Sequence, residues 1–193
     1  VAAGNPDLGG LTVAIADHRV DIAMTGGGMW EIPLGPVTLC DNELQRDPPR
    51  PAELTNALGF VHDYFDDIIV AAPTVLATPS VMAIGHHAEA LAHVEIGHTN
   101  VPAGYTMQRA DADEVFRTLV AEPRNARLAN PGLKAEHVDT LIGVLCIVLA
   151  IMLFIREQIG GSIIRRKLLG NETFSKRVRT HAEMEILTTR GDR

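Results

Sequence analysis

Imidazole and carboxylate side chains recur along one short segment of the chain. His86, Glu89 and His93 are spaced at i, i+3 and i+7, so a helix would carry all three on one face, with His98 nearby. Imidazole nitrogens and carboxylate oxygens are ligands for zinc or iron. The His-Glu-x-x-His pattern of zinc proteases is absent, and a histidine-rich exposed face is the competing interpretation. The spacing therefore predicts either a metal site or a solvated helix face.

A pattern typical of an anion-binding turn precedes these histidines. Residues 80–85, SVMAIG, have the pattern of a buried strand that ends at glycine, and a helix pattern starts at His86. A strand that runs through glycine into a helix directs unpaired N–H groups at the turn.

Three carboxylates elsewhere, Asp63, Asp66 and Asp67, could hold a divalent cation, but an exposed helix face accounts for them more simply. We therefore favour the Gly85 turn over the aspartates as a ligand site.

Three short strands at the start of the chain organise the elements that carry these residues. In residues 11–35, LTVAIADHRVDIAMTGGGMWEIPLG, apolar residues alternate with small or polar ones, and Gly26 to Gly28 supply positive φ for the second hairpin turn. The patterns farther along predict helices over 37–44, 52–68, 86–93 and 110–122 and strands over 80–85 and 162–164. A three-stranded meander followed by alternating helices and strands predicts an α/β fold.

Length and composition favour one domain with a helical appendage. The 193 residues are 46% hydrophobic, enough for a core, and carry a net charge of −7. Eight of the 17 basic residues but only four of the 24 acidic residues lie in 163–193. The acidic body argues against nucleic acid as the main partner, and we interpret the basic tail as a solvated helix face. Cys40 and Cys146 form no disulfide framework or zinc ribbon, which favours a reducing, cytoplasmic setting.

One apolar run must belong either to a membrane or to the core. Leu141 to Ile155, LIGVLCIVLAIMLFI, is uninterrupted but shorter than the roughly 20 residues that span a bilayer. Asp139 and Arg156 flank it, and the start of the chain has no secretory-signal pattern. These features predict a buried core helix and no membrane association.

Several short strings resemble those of a known family. Residues 32–39, IPLGPVTL, followed by Asp47-Pro48-Pro49, are close to the string PLG-x-V-x-L…DPP of the exopolyphosphatase/guanosine pentaphosphate phosphohydrolase (Ppx/GppA) family. Further matches are Asn130-Pro131-Gly132-Leu133, Val138-Asp139 and Leu168-Leu169-Gly170. Over about residues 11–172 the chain resembles the C-terminal half of that family, which has an actin-like, ribonuclease-H-like fold. The resemblance implies a Ppx/GppA-like actin-like domain over 1–172 and a basic C-terminal helix or tail over 173–193.

The catalytic and phosphate-binding motifs of the family differ from this sequence more than the strings quoted above do. The family's first turn, Asp-Ile-Gly-Gly-Gly-Ser-Thr-Glu, falls on residues 14–21, AIADHRVD, and its Gly-Thr-x-Thr-Thr on residues 85–89, GHHAE. By this resemblance the catalytic and metal-binding carboxylate is Asp21, and the phosphate-binding positions are Ala16, Asp17, His18, Arg19, Gly85 and His86. The first acid is replaced by Ala14 and the turn glycines are missing. Asp17 would repel a polyanion, and Arg19 is the one attractive group in the turn.

The resemblance implies a reaction as well as a fold. That reaction is Mg²⁺-assisted hydrolysis of a terminal phosphoanhydride, in polyphosphate or a guanosine phosphate, with an N-terminal lobe as the missing partner. Because the first acid and the glycines are replaced, we expect this half to be an inactive or nearly inactive pseudoenzyme. Two alternatives stay open. One is a non-catalytic interaction or regulatory module that forms a homodimer through its apolar helices, and the other is a metal-binding module that uses His86, Glu89 and His93.

Overall fold

A mixed sheet and six α-helices make up the part of the chain that the structure describes. The structure is a computed structural model and describes residues 10–78, 80–152 and 183–187, the last segment for its backbone alone. The strands are β1 (Leu11–Ile15), β2 (Val20–Met24), β3 (Met29–Ile32), β4 (Val81–Ile84), β5 (Thr106–Gln108) and β6 (Glu183–Leu187). The helices are α1 (Pro36–Glu43), α2 (Pro51–Ala71), α3 (His86–Ile96), α4 (Arg109–Ala121), α5 (Arg124–Arg127) and α6 (residues 141–152). Two 3-10 turns lie at Pro73–Ala77 and Ala135–His137.

The six strands are arranged in the order β3-β2-β1-β4-β6-β5. The first three form the predicted antiparallel meander, in which Ile22 lies between Val13 and Trp30. The triple glycine forms the second hairpin turn, with φ values of 93°, 122° and 108° at Gly26, Gly27 and Gly28. β1 and β4 run parallel, as do β4 and β6. The predicted α/β fold class is confirmed.

Helix α6 lies inside the core. Every residue from 141 to 152 is buried, so the predicted core helix is confirmed over its described part. Each fully buried leucine, such as Leu141 or Leu145, stabilises the fold by roughly 2 kcal/mol relative to an exposed one. Within the described ranges, no helix combines the length and apolar character that a bilayer crossing requires.

The contact between α6 and α1 depends on a glycine. A Cβ at Gly143 would lie 2.7 Å from the carbonyl oxygen of Pro36 and 3.0 Å from the sulfur of Cys40. We expect Gly143→Ala to lower the free energy of unfolding by about 2 kcal/mol, because the α1 backbone must shift. Urea denaturation measures this loss. Gly59→Ala is the control, since a Cβ at this exposed position of α2 meets nothing within 4 Å and should be neutral or stabilise by up to about 1 kcal/mol. Equal effects of the two changes would contradict the close helix contact.

Two strands differ from the sequence predictions. β6 lies within residues 173–193, where a basic helix or tail is predicted, and it pairs with both β4 and β5. β5 is three residues long and falls where the sequence predicts no strand. Both strands are hydrogen-bonded to partners distant in the sequence, which a local pattern does not reveal. The strand predicted over 162–164 lies outside the described residues, and the domain boundary at residue 172 stays a prediction.

Candidate functional site

Two turns meet where β1 and β4 end. These strands are parallel neighbours, with Ala14 opposite Ile84. The turn after β1, residues 16–19, and the start of α3 therefore lie at the same edge of the sheet. The carboxyl ends of parallel strands are where α/β sheets commonly bind ligands, so this edge is the candidate site.

Glycines let the backbones at this edge approach closely. Gly85 precedes α3 with φ of 104°, and a Cβ there would lie 2.9 Å from the carbonyl oxygen of Ile15. Gly35 precedes α1, and its Cβ would lie 2.4 Å from the carbonyl oxygen of Asp17. The turn at residues 16–19 is thus held between the starts of α1 and α3.

The carboxylate of Asp17 faces the first two residues of α3. Asp17 Oδ1 lies 2.8 Å from His87 Nε2 and 3.4 Å from His86 Nε2. The hydrogen bond with His87 is the largest of the interactions that hold the pKa of Asp17 below its usual range. Asp17 is therefore ionised at neutral pH and places a negative charge at the N-terminus of a helix, a position that attracts anions.

Three imidazoles pack beside this carboxylate. The ring centroid of His137 lies 5.6 Å from that of His86 and 5.9 Å from that of His87, and the latter two are 4.1 Å apart. Burial is the main cause that lowers the pKa of His87 and of His137, so both rings are neutral at neutral pH. In the part of the chain that the structure describes, these three histidines are the one group of at least three ligand side chains close enough to share a metal ion.

The architecture around this site matches solved structures. No protein-family model matches the sequence, and no curated protein matches it. An exopolyphosphatase-like protein superimposes with a TM-score of 0.71 at 15% identity over 82% of this chain. The type II variant of the Aquifex aeolicus Ppx/GppA phosphatase gives 0.69 at 12% identity over 91%, and an exopolyphosphatase from Cytophaga hutchinsonii gives 0.61 at 16% over 93%. The chain has the fold of half a Ppx/GppA phosphatase.

The likeness to the Ppx/GppA structures is a likeness of fold over part of their length. The chain covers 54%, 52% and 53% of the three matched chains, so it spans about half of their length. The predicted actin-like architecture is confirmed. At identities this low a shared fold does not carry over an activity, because one fold supports many kinds of site.

Within the Ppx/GppA fold, the predicted catalytic residue lies on β2. Asp21 is opposite Ala14 on one side and Glu31 on the other. Its carboxylate is 3.1 Å from Arg19 Nε, and both side chains are exposed. The one cation of the turn is thus already paired with the predicted catalytic carboxylate. No group of three ligand side chains forms around Asp21 in the described ranges, so a Mg²⁺ ion there would keep most of its ligands as water or substrate oxygens.

The turn predicted to bind phosphate has one backbone hydrogen bond of its own and one side-chain contact to α1. The N–H of Ala16 donates to the carbonyl oxygen of Arg19 at 3.0 Å, and His18 Nδ1 lies 3.2 Å from the hydroxyl of Thr38 on α1. The structure therefore separates the predicted residues into two groups. Asp17, Gly85 and His86 meet at the sheet edge, whereas Ala16, His18, Arg19 and Asp21 contact their own hairpin or α1.

The predicted metal set on α3 is not brought together. His93 is buried with its Nε2 3.8 Å from Glu89 Oε1, whereas His86 faces Asp17. An i to i+7 separation places two residues about 10 Å apart along a helix, too far for one ion. Instead the structure joins His86 to His87 and to His137, which the sequence analysis did not single out. The adjacent histidines of α3 were a visible signal, but no spacing rule relates His137 to them.

The three aspartates of α2 lie on an exposed helix face. Asp63, Asp66 and Asp67 are all exposed, and Asp66 lies 3.6 Å from His62 Nδ1. This arrangement is that of a solvated surface.

Proposed function

We propose that the chain is a Ppx/GppA-like phosphohydrolase domain, of the exopolyphosphatase or guanosine pentaphosphate phosphatase type, whose hydrolysis is impaired or absent in this half. The observation that carries the proposal is the contact of the Asp17 carboxylate, in the first hairpin turn, with the start of α3. The resemblance assigns both of these turns to phosphate. Polyphosphate or a guanosine phosphate is the corresponding ligand, the cytoplasm the corresponding setting, and an N-terminal lobe the partner that would complete the cleft.

Asp17 competes with a phosphate for the same contacts. Its carboxylate already accepts the hydrogen bond from His87, and it adds a negative charge where a polyanion would add several more. Two like charges about 4 Å apart repel by about 1 kcal/mol in water and about 4 kcal/mol near a protein surface. Arg19 offsets this repulsion only by giving up its pair with Asp21.

The metal ion implied by the resemblance also lacks ligands. Mg²⁺ would neutralise charge on the transferred phosphoryl group, and Asp21 is the one carboxylate assigned to hold it. Ala14 stands where the resemblance places the other acid. A magnesium ion held by a single carboxylate keeps most of its water ligands and binds weakly. Weak metal binding and a repelled substrate together account for the expected loss of hydrolysis.

Phosphate release tests the proposal directly. The purified 193-residue chain, given polyphosphate and excess Mg²⁺, should release phosphate no faster than the protein-free background. Release that EDTA abolishes would overturn the expected loss of hydrolysis.

Removing the charge of Asp17 should partly restore anion binding. In Asp17→Asn the side chain keeps its shape, and we expect tripolyphosphate to bind about tenfold more tightly at low salt, because about 1.4 kcal/mol of repulsion is removed. Isothermal titration calorimetry measures the affinity. Asp63→Asn, at an exposed position of α2, removes the same formal charge away from the site and should leave the affinity unchanged. Equal affinities for Asp17→Asn and the unaltered chain would show that Asp17 does not obstruct the site.

The alternative of a non-catalytic module that dimerises through its apolar helices gains no support from the most apolar of them, α6. Helix α6 is buried within a single chain over residues 141–152, so it does not offer its apolar surface to a second copy. The phosphohydrolase-like interpretation is therefore preferred.

A further inference from the structure

The cluster of His86, His87, His137 and Asp17 has a geometry that phosphate binding does not require. One ligand nitrogen from each histidine lies within 4.8 Å of the other two. Asp17 Oδ1 is 2.8 Å from the nearest nitrogen of His87 and 3.4 Å from that of His86. Bonds of about 2.0–2.1 Å to a tetrahedral zinc ion place ligand nitrogens roughly 3.3 Å apart. The three histidine nitrogens exceed that spacing by at most about 1.5 Å.

We propose that these three histidines bind Zn²⁺ or a similar first-row transition-metal ion, with Asp17 beside them as a hydrogen-bond partner of His87. A zinc ion with three protein ligands keeps its fourth position for water, and Asp17, hydrogen-bonded to His87 Nε2, would orient that ring to bind through its other nitrogen. Imidazole suits zinc, copper, iron and nickel, whereas Mg²⁺ prefers oxygen ligands, so the ligand set selects against the ion that the Ppx/GppA resemblance implies. The site shares His86 and Asp17 with the positions that the resemblance assigns to phosphate, but zinc binding does not require phosphohydrolase activity.

A buried nitrogen in the cluster supports a ligand role. The His87 side chain is 3% exposed, and its Nδ1 is buried without a hydrogen-bond partner. A buried polar atom without a partner is uncommon in folded proteins and requires an explanation. The hydrogen bond between His87 and Asp17 explains one ring nitrogen but neither the other nor the presence of two more imidazoles. A metal ion bound by the three imidazoles accounts for that nitrogen, because His87 would bind the ion through Nδ1 while its Nε2–H donates to Asp17.

Two members of the cluster are largely covered by the protein, and two are exposed to solvent. His87 and His137 are 3% and 12% exposed, whereas His86 and Asp17 are 56% and 55% exposed. The buried pair is positioned by packing, and the exposed pair leaves a path from solvent for the ion. Glu136 Oε1, 3.5 Å from His137 Nε2, adds a further negative charge at the rim. The charge of the surroundings therefore favours a cation.

Calorimetric titration of the chelator-treated 193-residue chain with Zn²⁺ tests the site. We expect one ion per chain with micromolar or tighter affinity. His86→Ala and His137→Asn should each weaken binding at least tenfold. His62→Ala is the matched control, because it removes a half-exposed histidine of α2 that lies outside the cluster. Co²⁺ provides a second readout, since a four-coordinate cobalt ion absorbs visible light strongly and the two site variants should lose that absorption.

The outcomes of the zinc titration distinguish a binding site from its absence. Because His86 is exposed, His86→Ala should fold normally, as circular dichroism will show, even if His137→Asn does not. Stoichiometric binding that is lost in His86→Ala and kept in His62→Ala supports the site. Absence of binding at 100-fold excess Zn²⁺, or equal binding by His86→Ala and the unaltered chain, overturns it. The phosphate assays are run without zinc, so failure of either proposal leaves the other standing.

Discussion

Gly132→Ala should lower the free energy of unfolding by about 3 kcal/mol or more, because a new side-chain carbon would overlap the backbone of α3. A Cβ at residue 132 would lie 1.7 Å from the carbonyl oxygen of His93 and 2.9 Å from the backbone nitrogen of Val94. Backbone atoms of a helix cannot rotate aside as a flexible side chain can. The loop itself is held by Asn130, whose side-chain oxygen accepts a hydrogen bond from the N–H of Gly132 at 3.0 Å. Either the loop or the helix must therefore move.

Thermal denaturation measures this effect. A loss of about 3 kcal/mol in a chain of this size lowers the melting temperature by roughly 6–12 °C. Gly59→Ala again serves as the control, and an unchanged melting temperature for Gly132→Ala would contradict the close contact. The same loop leads to His137, so the variant should also bind Zn²⁺ more weakly than the unaltered chain. A stability loss with full zinc affinity would show that the loop does not position His137.

The second large effect is expected at Asp47, which holds a buried arginine. Arg127 is 5% exposed, and its guanidinium lies 2.8 Å from Asp47 Oδ1. Asp47 Oδ2 also accepts a hydrogen bond from the backbone N–H of Arg124 at 2.7 Å. We expect Asp47→Ala to lower the free energy of unfolding by about 3 kcal/mol, because it leaves a buried guanidinium without its carboxylate. Urea denaturation at neutral pH measures the change.

Two further variants separate this mechanism from a general loss of charge. Glu114→Ala removes a carboxylate that pairs with Arg117 at 2.6 Å on an exposed surface, and it should cost less than about 0.5 kcal/mol. The double variant Asp47→Ala/Arg127→Met should recover much of the loss, because an apolar side chain of similar length replaces the stranded charge. A double variant as unstable as Asp47→Ala alone would refute the explanation.

Local periodicity accounts for the elements that the sequence predicts well. The alternation in β1 and β2, the glycine turn and the apolar spacing of α2 are all short-range signals, and each produced the expected element. The structure also shows what residues in the strings shared with the Ppx/GppA family contact. Asp47 and Gly132, which belong to two of those strings, make contacts between distant segments. The family resemblance therefore predicted the scaffold because its strings encode packing.

The site was less predictable because its members are brought together by the fold. The resemblance identified the position of Asp17 but not its partner, since the hydrogen bond to His87 spans 70 residues. The spacing on α3 suggested His93 as a ligand, yet that residue is buried elsewhere, and the third imidazole comes from the turn that ends at His137. Helical periodicity identifies residues that share a face, but it does not say which face the rest of the chain will cover.

The order of strands in the sheet has a consequence for the protein while it is being synthesised. β6 is the last of the described strands along the chain, yet it lies between β4 and β5. A growing polypeptide that has reached only residue 152 already contains β1 to β5, but β4 and β5 lack β6, the strand that pairs with both. Such unpaired edges offer N–H and C=O groups to other chains. Ribosome-bound and prematurely terminated forms should therefore be the species that chaperones bind and that aggregate.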